Sequence, residues 1–448
     1  MTSLSSAATS QPMSIRKVAL ASTVGATIEW YDFFLYGTVS GLVFNKIFFP
    51  AYQDPFIATM LAYMGFAVGY LSRPVGGIIF GHFGDRIGRK NMLVLTLIIM
   101  GVSTVLIGCL PPYSSIGIWA PILLMLFRIF QGIGLGGEWG GGVLMAVEHS
   151  DQKKVGFYGS WPQMGLQFGV LLGTVVFAVL SNAMPEDQFL SWGWRIAFLI
   201  SVFLVAVGLY IRLQILETPA FTRIRESGAQ VRVPIMEVLR KYPRNVLLAM
   251  GARFIEGVTF NVYVTFGVMY LTTVIKLPRT TALNAVSVSM LVQLLLVPIW
   301  GILADKYGRR QVFAAGAIIS GVTIFPAFWL IKSFPQYTIV IYLIMGIPFG
   351  VSYAALWASI SSLFSEIFDA RVRYSGMSLV YHTAGIYAAG LTPIIATYFL
   401  TISNNQPWLI AGYLLLVSII STICVSLLQI QQLGEATNPP AQAPAPGH

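Results

Sequence analysis

Charged residues are scarce in this chain. Only 10% of its 448 residues are Asp, Glu, Lys or Arg, whereas 56% are hydrophobic and 43 are glycine. A soluble globular protein carries about a quarter of its residues as charged side chains. The scarcity of charge therefore excludes a water-soluble globular protein, and we predict an integral membrane protein.

Cysteine is almost absent as well, and motifs of enzymes are missing. Cys109 and Cys424, the only cysteines, both fall in hydrophobic stretches and form neither a disulfide framework nor a metal-ligand spacing. The chain has no P-loop, no zinc motif and no convincing hydrolase elbow. The glycines at 132–137 match a dinucleotide fingerprint, but they lie inside an apolar stretch with no strand before it. We expect no enzyme activity, no cofactor, no metal and no ATP-driven transport by this chain alone.

Long hydrophobic segments dominate what is present. We predict twelve membrane-spanning helices, because each segment is long enough to cross roughly 30 Å of hydrocarbon. They lie at 18–44, 57–81, 91–110, 117–147, 156–181, 194–214, 245–274, 282–303, 311–331, 336–364, 373–401 and 406–429. The first is too long for a signal peptide and carries Glu29 and Asp32, so we predict that it is retained.

The 27 Lys and Arg residues are distributed unevenly about these segments. Five fall on one side of the membrane: Lys46, Arg195, Lys276, Arg279 and Lys332. Three fall inside predicted helices: Arg73, Arg128 and Arg253. The other nineteen, Arg212 among them, fall on the opposite side, which the positive-inside rule makes cytoplasmic together with both termini. The net charge of +10 therefore reflects topology, and we expect no nucleic-acid partner.

A charged hairpin occurs twice, 220 positions apart. The first copy is Gly81-His-Phe-Gly-Asp85-Arg86-Ile-Gly88-Arg89-Lys90, and the second is Gly301-Ile-Leu-Ala-Asp305-Lys306-Tyr-Gly308-Arg309-Arg310. Glu148 and Glu366 follow the fourth and tenth predicted helices, 218 positions apart. Two landmarks with nearly the same offset predict a tandem repeat of a membrane unit, which is typical of pseudo-symmetric transporters.

The repeat divides the chain into two halves. We predict an all-α membrane protein whose twelve transmembrane helices form two six-helix bundles, at 16–214 and 245–430. A cytoplasmic linker at 215–244 joins them. Residues 1–15 are rich in Ser, Ala and Thr, and residues 431–448 are rich in Pro and Ala, so both are expected to be disordered tails.

Each charge inside a membrane helix requires a partner, a water-filled cavity or a function, because it is costly in hydrocarbon. The acids within the predicted helices are Glu29, Asp32, Glu138 and Glu256, and the bases are Arg73, Arg128 and Arg253. One surplus carboxylate suits proton coupling, which needs a group that alternates between neutral and charged forms. The count does not identify that group.

Helical spacing places several polar residues on common faces. These sets are Asp32 with Tyr36; Arg128 with Gln131 and Glu138; Gln163 with Gln167; and Arg253 with Glu256 and Tyr263. We hypothesise an ion pair between Asp32 and Arg128, either proton-sensitive or static. Arg253 and Glu256 either neutralise each other or bind substrate, and Arg73 is expected to be structural.

The hairpins resemble the signature loops of the major facilitator superfamily. Further strings are similar to its metabolite:proton symporter family: Glu29-Trp30-Tyr31-Asp32-Phe33, Arg73-Pro74-Val75-Gly76-Gly77, Gly136-Gly137-Glu138-Trp139-Gly140 and Ser191-Trp192-Gly193-Trp194-Arg195. The resemblance covers all twelve predicted helices. It is greatest to the family's shikimate and α-ketoglutarate carriers.

This resemblance implies a proton-coupled symporter that imports a small organic acid, shikimate-like or a di- or tricarboxylate, by alternating access. The candidate proton-coupling residues are Asp32, Arg128, Glu29 and Glu138. The candidate substrate-binding residues are Arg128, Gln131, Gln163, Gln167, Tyr36, Arg253, Glu256, Tyr263, Tyr381 and His382. The candidate gating residues are Gly81, Asp85, Arg86, Arg89, Gly301, Asp305, Arg309 and Arg373.

Other classes of function stay open. A proton/osmolyte symporter for proline or betaine is the main alternative, and a drug efflux antiporter or a non-transporting sensor is less favoured. The expected partners are the organic acid, the proton and the lipid bilayer. We expect a monomer in a bacterial inner membrane.

Overall fold

The computed structural model describes residues 14–49, 55–214, 216–228 and 231–430. Twelve long helices, numbered α1 to α12 in chain order, make up most of it. They are α1 (Ile15–Val39), α2 (Pro55–Ile87), α3 (Arg89–Cys109), α4 (Trp119–Glu148), α5 (Gln152–Ala183), α6 (Glu186–Gln214), α7 (Pro243–Val274), α8 (Arg279–Tyr307), α9 (Arg309–Ser333), α10 (Thr338–Ser365), α11 (Arg373–Ile402) and α12 (Trp408–Leu427).

Ten of these helices, α3 to α12, are long and apolar enough to cross a membrane by length and composition. The other two pack against long helices of the same half: α1 lies along α5, and α2 lies along α4. The predicted count of twelve helices is confirmed. Of the tails predicted at 1–15 and 431–448, residues 1–13 and 431–448 lie outside the described residues, and α1 begins at Ile15.

Both hairpins are tighter than the hydrophobic segments predict. Helix α2 continues to Ile87 and α8 to Tyr307, so most of each charged motif is helical. A single residue separates the helices of each hairpin: Gly88, with φ of 119°, and Gly308, with φ of 100°. A residue with a Cβ rarely adopts these values of φ, so glycine makes the turn in both copies.

Close contact between α2 and α4 also depends on glycine. A Cβ on Gly132 would collide with the backbone oxygen of Gly69, and a Cβ on Gly136 would collide with the backbone oxygen of Arg73. Small residues of this kind let two membrane helices approach closely. The glycines that match a dinucleotide fingerprint therefore form a helix-packing surface.

Irregular turns interrupt several helices near the middle of the molecule. Helix α5 loses its regular pattern at 161–163, around Pro162. Wider π-helical turns occur at Val262–Phe266 in α7, Met345–Phe349 in α10 and Ile386–Gly390 in α11. Such turns are frequent at functional sites, and α7, α10 and α11 each contact the first half.

The linker is more ordered than the predicted loop. It contains two short helices, Pro219–Glu226 and Pro234–Lys241. Thr218 caps the first of them by accepting a hydrogen bond from the N–H of Phe221. The same Thr218 hydroxyl accepts a hydrogen bond of 3.1 Å from Arg89, so the linker is attached to the first hairpin.

The two halves meet at the membrane face that carries both hairpins and the linker, which we call the hairpin face. Helix α2 packs on α11, and α5 packs on α8 and α10. These contacts between halves close the molecule on the hairpin face and leave the polar site between them.

Candidate functional site

Asp85 connects the first hairpin to the second half. Its carboxylate accepts hydrogen bonds from the N–H groups of Tyr374 (3.3 Å) and Ser375 (2.9 Å), the second and third residues of α11. N–H groups in the first turn have no partner within their own helix. A carboxylate at this position therefore caps α11 and interacts favourably with its dipole.

Asp305 repeats this contact in the opposite direction. It accepts hydrogen bonds from the N–H groups of Gly156 (2.6 Å) and Phe157 (2.8 Å), where regular helix begins in α5. In both copies the capped helix belongs to the other half. Two equivalent carboxylates thus hold the hairpin face closed.

Ion pairs complete both contacts. Arg89 pairs with Glu148, which also pairs with Arg373 at 3.0 Å. Arg309 pairs with Glu366, the counterpart of Glu148. The landmark glutamates of the repeat therefore have matching partners.

The other candidate gating residues are two glycines at the contact between the halves and one exposed arginine. Gly81 lies against the backbone of Ser375, and Gly301 lies against the backbone of Gly156, so both allow contact between the halves. Arg86 is exposed and lies 3.4 Å from His82 of its own helix.

Asp32 lies inside the first bundle, and the predicted ion pair with Arg128 is wrong. Its two carboxylate oxygens accept hydrogen bonds from the hydroxyls of Thr104 in α3 and Ser201 in α6. Among the described residues Asp32 forms no ion pair. Each carboxylate oxygen of Asp32 thus has a hydroxyl partner in place of the Arg128 guanidinium.

Arg128 is instead linked to Asp32 through two intervening side chains. It donates to Gln131 at 2.7 Å, and Gln131 donates to Thr104 at 2.7 Å. Its guanidinium lies 3.8 Å from the ring centre of Tyr36. One buried cluster is therefore formed by Arg128, Gln131 and Tyr36. None of them lines the two cavities between the halves.

Arg212 is a site residue that the sequence assigned to the cytoplasmic side. It is buried near the end of α6, where it pairs with Glu138 and lies 3.5 Å from Glu29. It also donates a hydrogen bond to the backbone oxygen of Leu93. With Arg212 added to the charged residues predicted inside the membrane, acids and bases number four each, so the predicted surplus carboxylate is wrong.

Two narrow cavities lie between the halves. Each has about 20 Å³ open to the centre of a water-sized sphere, which is room for about one or two water molecules. Both are lined by Trp30, Arg73 and Tyr381. The first also contacts Glu29, Glu138, Trp139, Gln163 and His382. The second also contacts Arg253, Glu256, Phe260 and Tyr353.

Arg73 lines both cavities, although a purely structural role was expected for it. Its guanidinium lies 3.9 Å from the ring centre of Tyr70 and 4.2 Å from that of Phe33. In the described part of the chain, its Nε and Nη2 have no hydrogen-bond partner. A buried guanidinium with unsatisfied N–H groups is a suitable receptor for a carboxylate.

Arg253 and Glu256 form the expected pair on α7. Their charged atoms lie 3.1 Å apart, but the Arg253 atom that makes this contact is not aligned as a hydrogen-bond donor. Glu256 accepts a hydrogen bond of 2.7 Å from Tyr353, and Arg253 lies 3.9 Å from the ring centre of Tyr381. The pair is thus held by charge and by aromatic neighbours.

Gln163 and Gln167 bind the other half. Gln163 donates to the backbone oxygen of Trp357 at 2.9 Å, and the Trp357 indole donates back to the backbone oxygen of Gln163 at 2.7 Å. Gln167 donates to Gln293 at 3.0 Å. Both glutamines therefore stabilise the present arrangement of the halves, and Gln163 alone of the two lines a cavity.

The two remaining candidates differ in position. His382 lines the first cavity, and neither of its ring nitrogens has a partner among the described residues. Tyr263 stacks on Phe349, with ring centres 4.8 Å apart, and lines neither cavity.

Aromatic contacts between the halves also surround the site. Phe34 and Phe260 meet with ring centres 5.7 Å apart, and Trp30 and Trp357 meet at 6.2 Å. Each pair joins α1 to a helix of the second half. The hairpin contacts and these rings together enclose the site.

A polar, enclosed site between two six-helix halves defines a membrane carrier. The family described as "Sugar (and other) transporter" matches residues 18–235, and the family described as "Major Facilitator Superfamily" matches residues 249–447. The chain belongs to the major facilitator superfamily and, within it, to the metabolite:proton symporter family. It is a transporter and not an enzyme.

Two curated relatives support this assignment over most of the chain. The shikimate transporter of Escherichia coli K12 is 39% identical over 419 residues, covering 93% of this chain and 95% of the relative. The proline/betaine transporter of the same organism is 34% identical over 418 residues, covering 91% of this chain and 82% of the relative.

A solved structure agrees in fold. The proton:xylose symporter XylE bound to 6-bromo-6-deoxy-D-glucose superposes with a TM-score of 0.75 at 18% identity, covering 92% of this chain and 94% of that one. The predicted twelve-helix, two-bundle fold is confirmed.

Proposed function

We propose that this chain imports a small organic acid together with a proton, by alternating access. The hairpin face is the cytoplasmic one, and the protein acts as a monomer in a bacterial inner membrane. The favoured substrate is shikimate-like or a di- or tricarboxylate. The strongest support comes from Arg73, a buried cation that has unsatisfied N–H groups and lines both central cavities.

The cavities are too tight for an organic acid in the present state, so binding requires the halves to separate. The contacts of Gln163 with Trp357, and of Phe34 with Phe260, are those that must part. Substrate would then replace the contacts between the halves with contacts to its own carboxylate and hydroxyl groups. Binding and closure are thereby linked, as alternating access requires.

The charge distribution supports binding of an anion together with a proton. Arg73 has no ion-pair partner among the described residues, whereas Arg212 serves two carboxylates, Glu29 and Glu138. A substrate anion beside Arg73 and a proton on one of these carboxylates would leave each part of the cavity neutral. Glu29 and Glu138 are therefore retained as coupling candidates.

Asp32 remains the first candidate for the coupled proton. Its partners Thr104 and Ser201 are hydroxyls, which can donate to a carboxylate or accept from a protonated carboxyl group. Both charge states can therefore be accommodated without moving an arginine. The chain of Thr104 and Gln131 would transmit the change to Arg128.

A betaine-like zwitterion is the alternative substrate. The second cavity is lined by Trp30, Tyr353, Tyr381 and Glu256, and aromatic rings with a carboxylate suit a quaternary ammonium group. Arg73 would bind the carboxylate of such a zwitterion in the same way. A drug efflux antiporter is less favoured, because it would need a broad apolar cavity.

The test is uptake by proteoliposomes under an inward proton gradient, with labelled shikimate, α-ketoglutarate, citrate and betaine. We expect one organic acid to accumulate and a protonophore to abolish its accumulation. Accumulation of betaine alone would favour the alternative, and gradient-independent uptake of an acid would exclude proton coupling.

A pair of variants then tests Arg73. Arg73→Gln should weaken the apparent affinity for the transported acid, because the receptor N–H groups are lost. Arg223→Gln removes the same charge from an exposed position in the linker and should leave affinity unchanged. Equal affinities of the two variants would exclude Arg73 as the carboxylate receptor.

A further inference from the structure

A wide groove opens on the hairpin face where α1, α5 and α8 meet. About 720 Å³ of it is open to the centre of a water-sized sphere, compared with about 20 Å³ in each central cavity. The groove shares no lining residue with either central cavity. It is therefore separate from the transport site.

Four cationic side chains line this groove: Arg16 of α1, Lys153 and Lys154 of α5, and Lys306 of α8. All four are exposed, and none forms an ion pair with a described residue. The single carboxylate present, Asp305, already accepts the N–H groups that begin α5. The groove thus has an excess of positive charge that a phosphate group would neutralise.

Apolar surface continues from the groove along α8. Ile302 lines the groove and is 52% exposed; Ile299 and Leu295 follow at helical spacing and are 49% and 70% exposed. Trp161 also lines the groove, and its buried indole N–H has no partner among the described residues. Ile302, Ile299 and Leu295 form an apolar ridge on α8. A soluble anion would make no favourable contact with this α8 ridge, whereas an acyl chain would cover it.

We propose that this groove binds an anionic phospholipid of the leaflet at the hairpin face. The phosphate group lies among Arg16, Lys153, Lys154 and Lys306, and an acyl chain lies along the α8 ridge. Basic pockets between membrane helices bind lipid headgroups in this way. Because the lysines of α5 belong to the first half and Lys306 belongs to the second, the lipid contacts both halves of the closed hairpin face.

Quenching of tryptophan fluorescence by brominated lipids tests this site independently of transport. The full-length protein is placed in phosphatidylcholine nanodiscs that contain brominated phosphatidylglycerol or brominated phosphatidylcholine. The chain has ten tryptophans, so Trp161→Phe identifies the contribution of the groove. We expect the brominated anionic lipid to quench a component that the zwitterionic lipid does not, and this component to be absent in Trp161→Phe.

Charge variants locate the headgroup. Lys153→Gln with Lys154→Gln, and Lys306→Gln alone, should each weaken the preference for phosphatidylglycerol, by roughly fivefold per lysine. Lys153→Arg with Lys154→Arg should retain it. Arg223→Gln with Arg225→Gln removes two charges from the linker and should also leave the preference unchanged.

Three outcomes would overturn the proposal. Equal quenching by the two brominated lipids would show that the groove has no preference for anionic headgroups. An equal loss in the linker variant would show a general effect of net charge. Displacement of the brominated anionic lipid by inorganic phosphate would identify a site for a soluble anion.

Discussion

Arg212 lies beside two carboxylates inside the first half of the molecule. Glu138 pairs with it directly, and Glu29 lies 3.5 Å from the same guanidinium. All three side chains are buried. Removing one partner of a buried ion pair leaves an uncompensated charge, which typically costs about 3–5 kcal/mol. This cluster should therefore contribute to the stability of the protein.

Arg212→Gln should lower the melting temperature of the purified protein, because Glu138 and Glu29 lose their cation. Adding Glu138→Gln should recover part of the loss, since one uncompensated carboxylate is then removed. Arg225→Gln, on the exposed surface of the linker, is the control and should melt like the parent protein. Thermal unfolding followed by fluorescence measures all of these. Unchanged melting of Arg212→Gln would contradict the proposed charge compensation.

Asp32→Asn should separate proton coupling from substrate movement. Asparagine has nearly the same shape and still offers one oxygen to Thr104 or Ser201, but it does not titrate. We expect gradient-driven accumulation to disappear while exchange of labelled for unlabelled substrate continues. Full accumulation by this variant would move the coupled proton to Glu29 or Glu138.

The sequence identified most of the buried ionisable residues but not their partners. Spacing along one helix predicted the pair of Arg253 with Glu256, because both lie on α7. The pair of Arg212 with Glu138 joins α6 to α4, and no spacing along one helix reveals it. Arg212 also lies within a turn of the end of α6, where arginine commonly extends to water.

Glycine sets the contact of α2 with α4. Gly136 lies against the backbone of Arg73, the residue that lines both central cavities. A side chain at position 136 must displace α2, and with it the Arg73 guanidinium. Helix packing and the position of the proposed carboxylate receptor are therefore coupled.

Gly136→Ala should destabilise the protein by about 1–3 kcal/mol, as overpacking of a tight contact does. Gly142→Ala lies on the same helix, where the nearest atom to an added Cβ is 3.9 Å away. It should be neutral or slightly stabilising, because alanine favours helix over glycine. Thermal unfolding of the two variants measures the difference. Equal melting temperatures would mean that close contact between α2 and α4 at Gly136 is not required for stability.

Hydropathy predicted the helices better than their ends. The second and eighth segments were expected to stop at residues 81 and 303, where charged residues begin. The backbone hydrogen bonding of α2 and α8 continues to Ile87 and Tyr307, because only Gly88 and Gly308 break it. Helix ends at a membrane surface are thus decided by turn residues, whereas hydropathy marks the hydrocarbon boundary.

The two hairpin carboxylates, Asp85 and Asp305, hold the halves of the protein together. Asp85 caps α11 of the second half, and Asp305 caps the regular helix of α5 in the first. Each cap exists only while the hairpin face is closed. The free energy of both caps therefore favours the closed state directly, and a carrier must release them to open this face.

A third carboxylate on the same face provides a control. Burial raises the pKa of Asp369, but hydrogen bonds from Arg371 outweigh this effect, and the net pKa is lowered. Asp369 therefore stays ionised at neutral pH. Its hydrogen bonds to Arg371, of 2.9 Å, lie within one loop of the second half. Losing them removes no hydrogen bond between the halves.

Asp85→Ala and Asp305→Ala should each shift the molecule towards opening of the hairpin face. A lost cap costs about 0.5–2 kcal/mol, which corresponds to roughly a 2- to 30-fold change in the ratio of closed to open molecules. The double variant should show the sum of the two free energies, because the caps are separate contacts.

Spin labels at the exposed positions Ile87 and Tyr307, one in each half, report the distance across the hairpin face. We expect a longer distance to appear in both single variants and to dominate in the double variant. Asp369→Ala should keep the parent distance; a similar lengthening there would mean that loss of any carboxylate on this face, and not loss of the caps, opens the molecule.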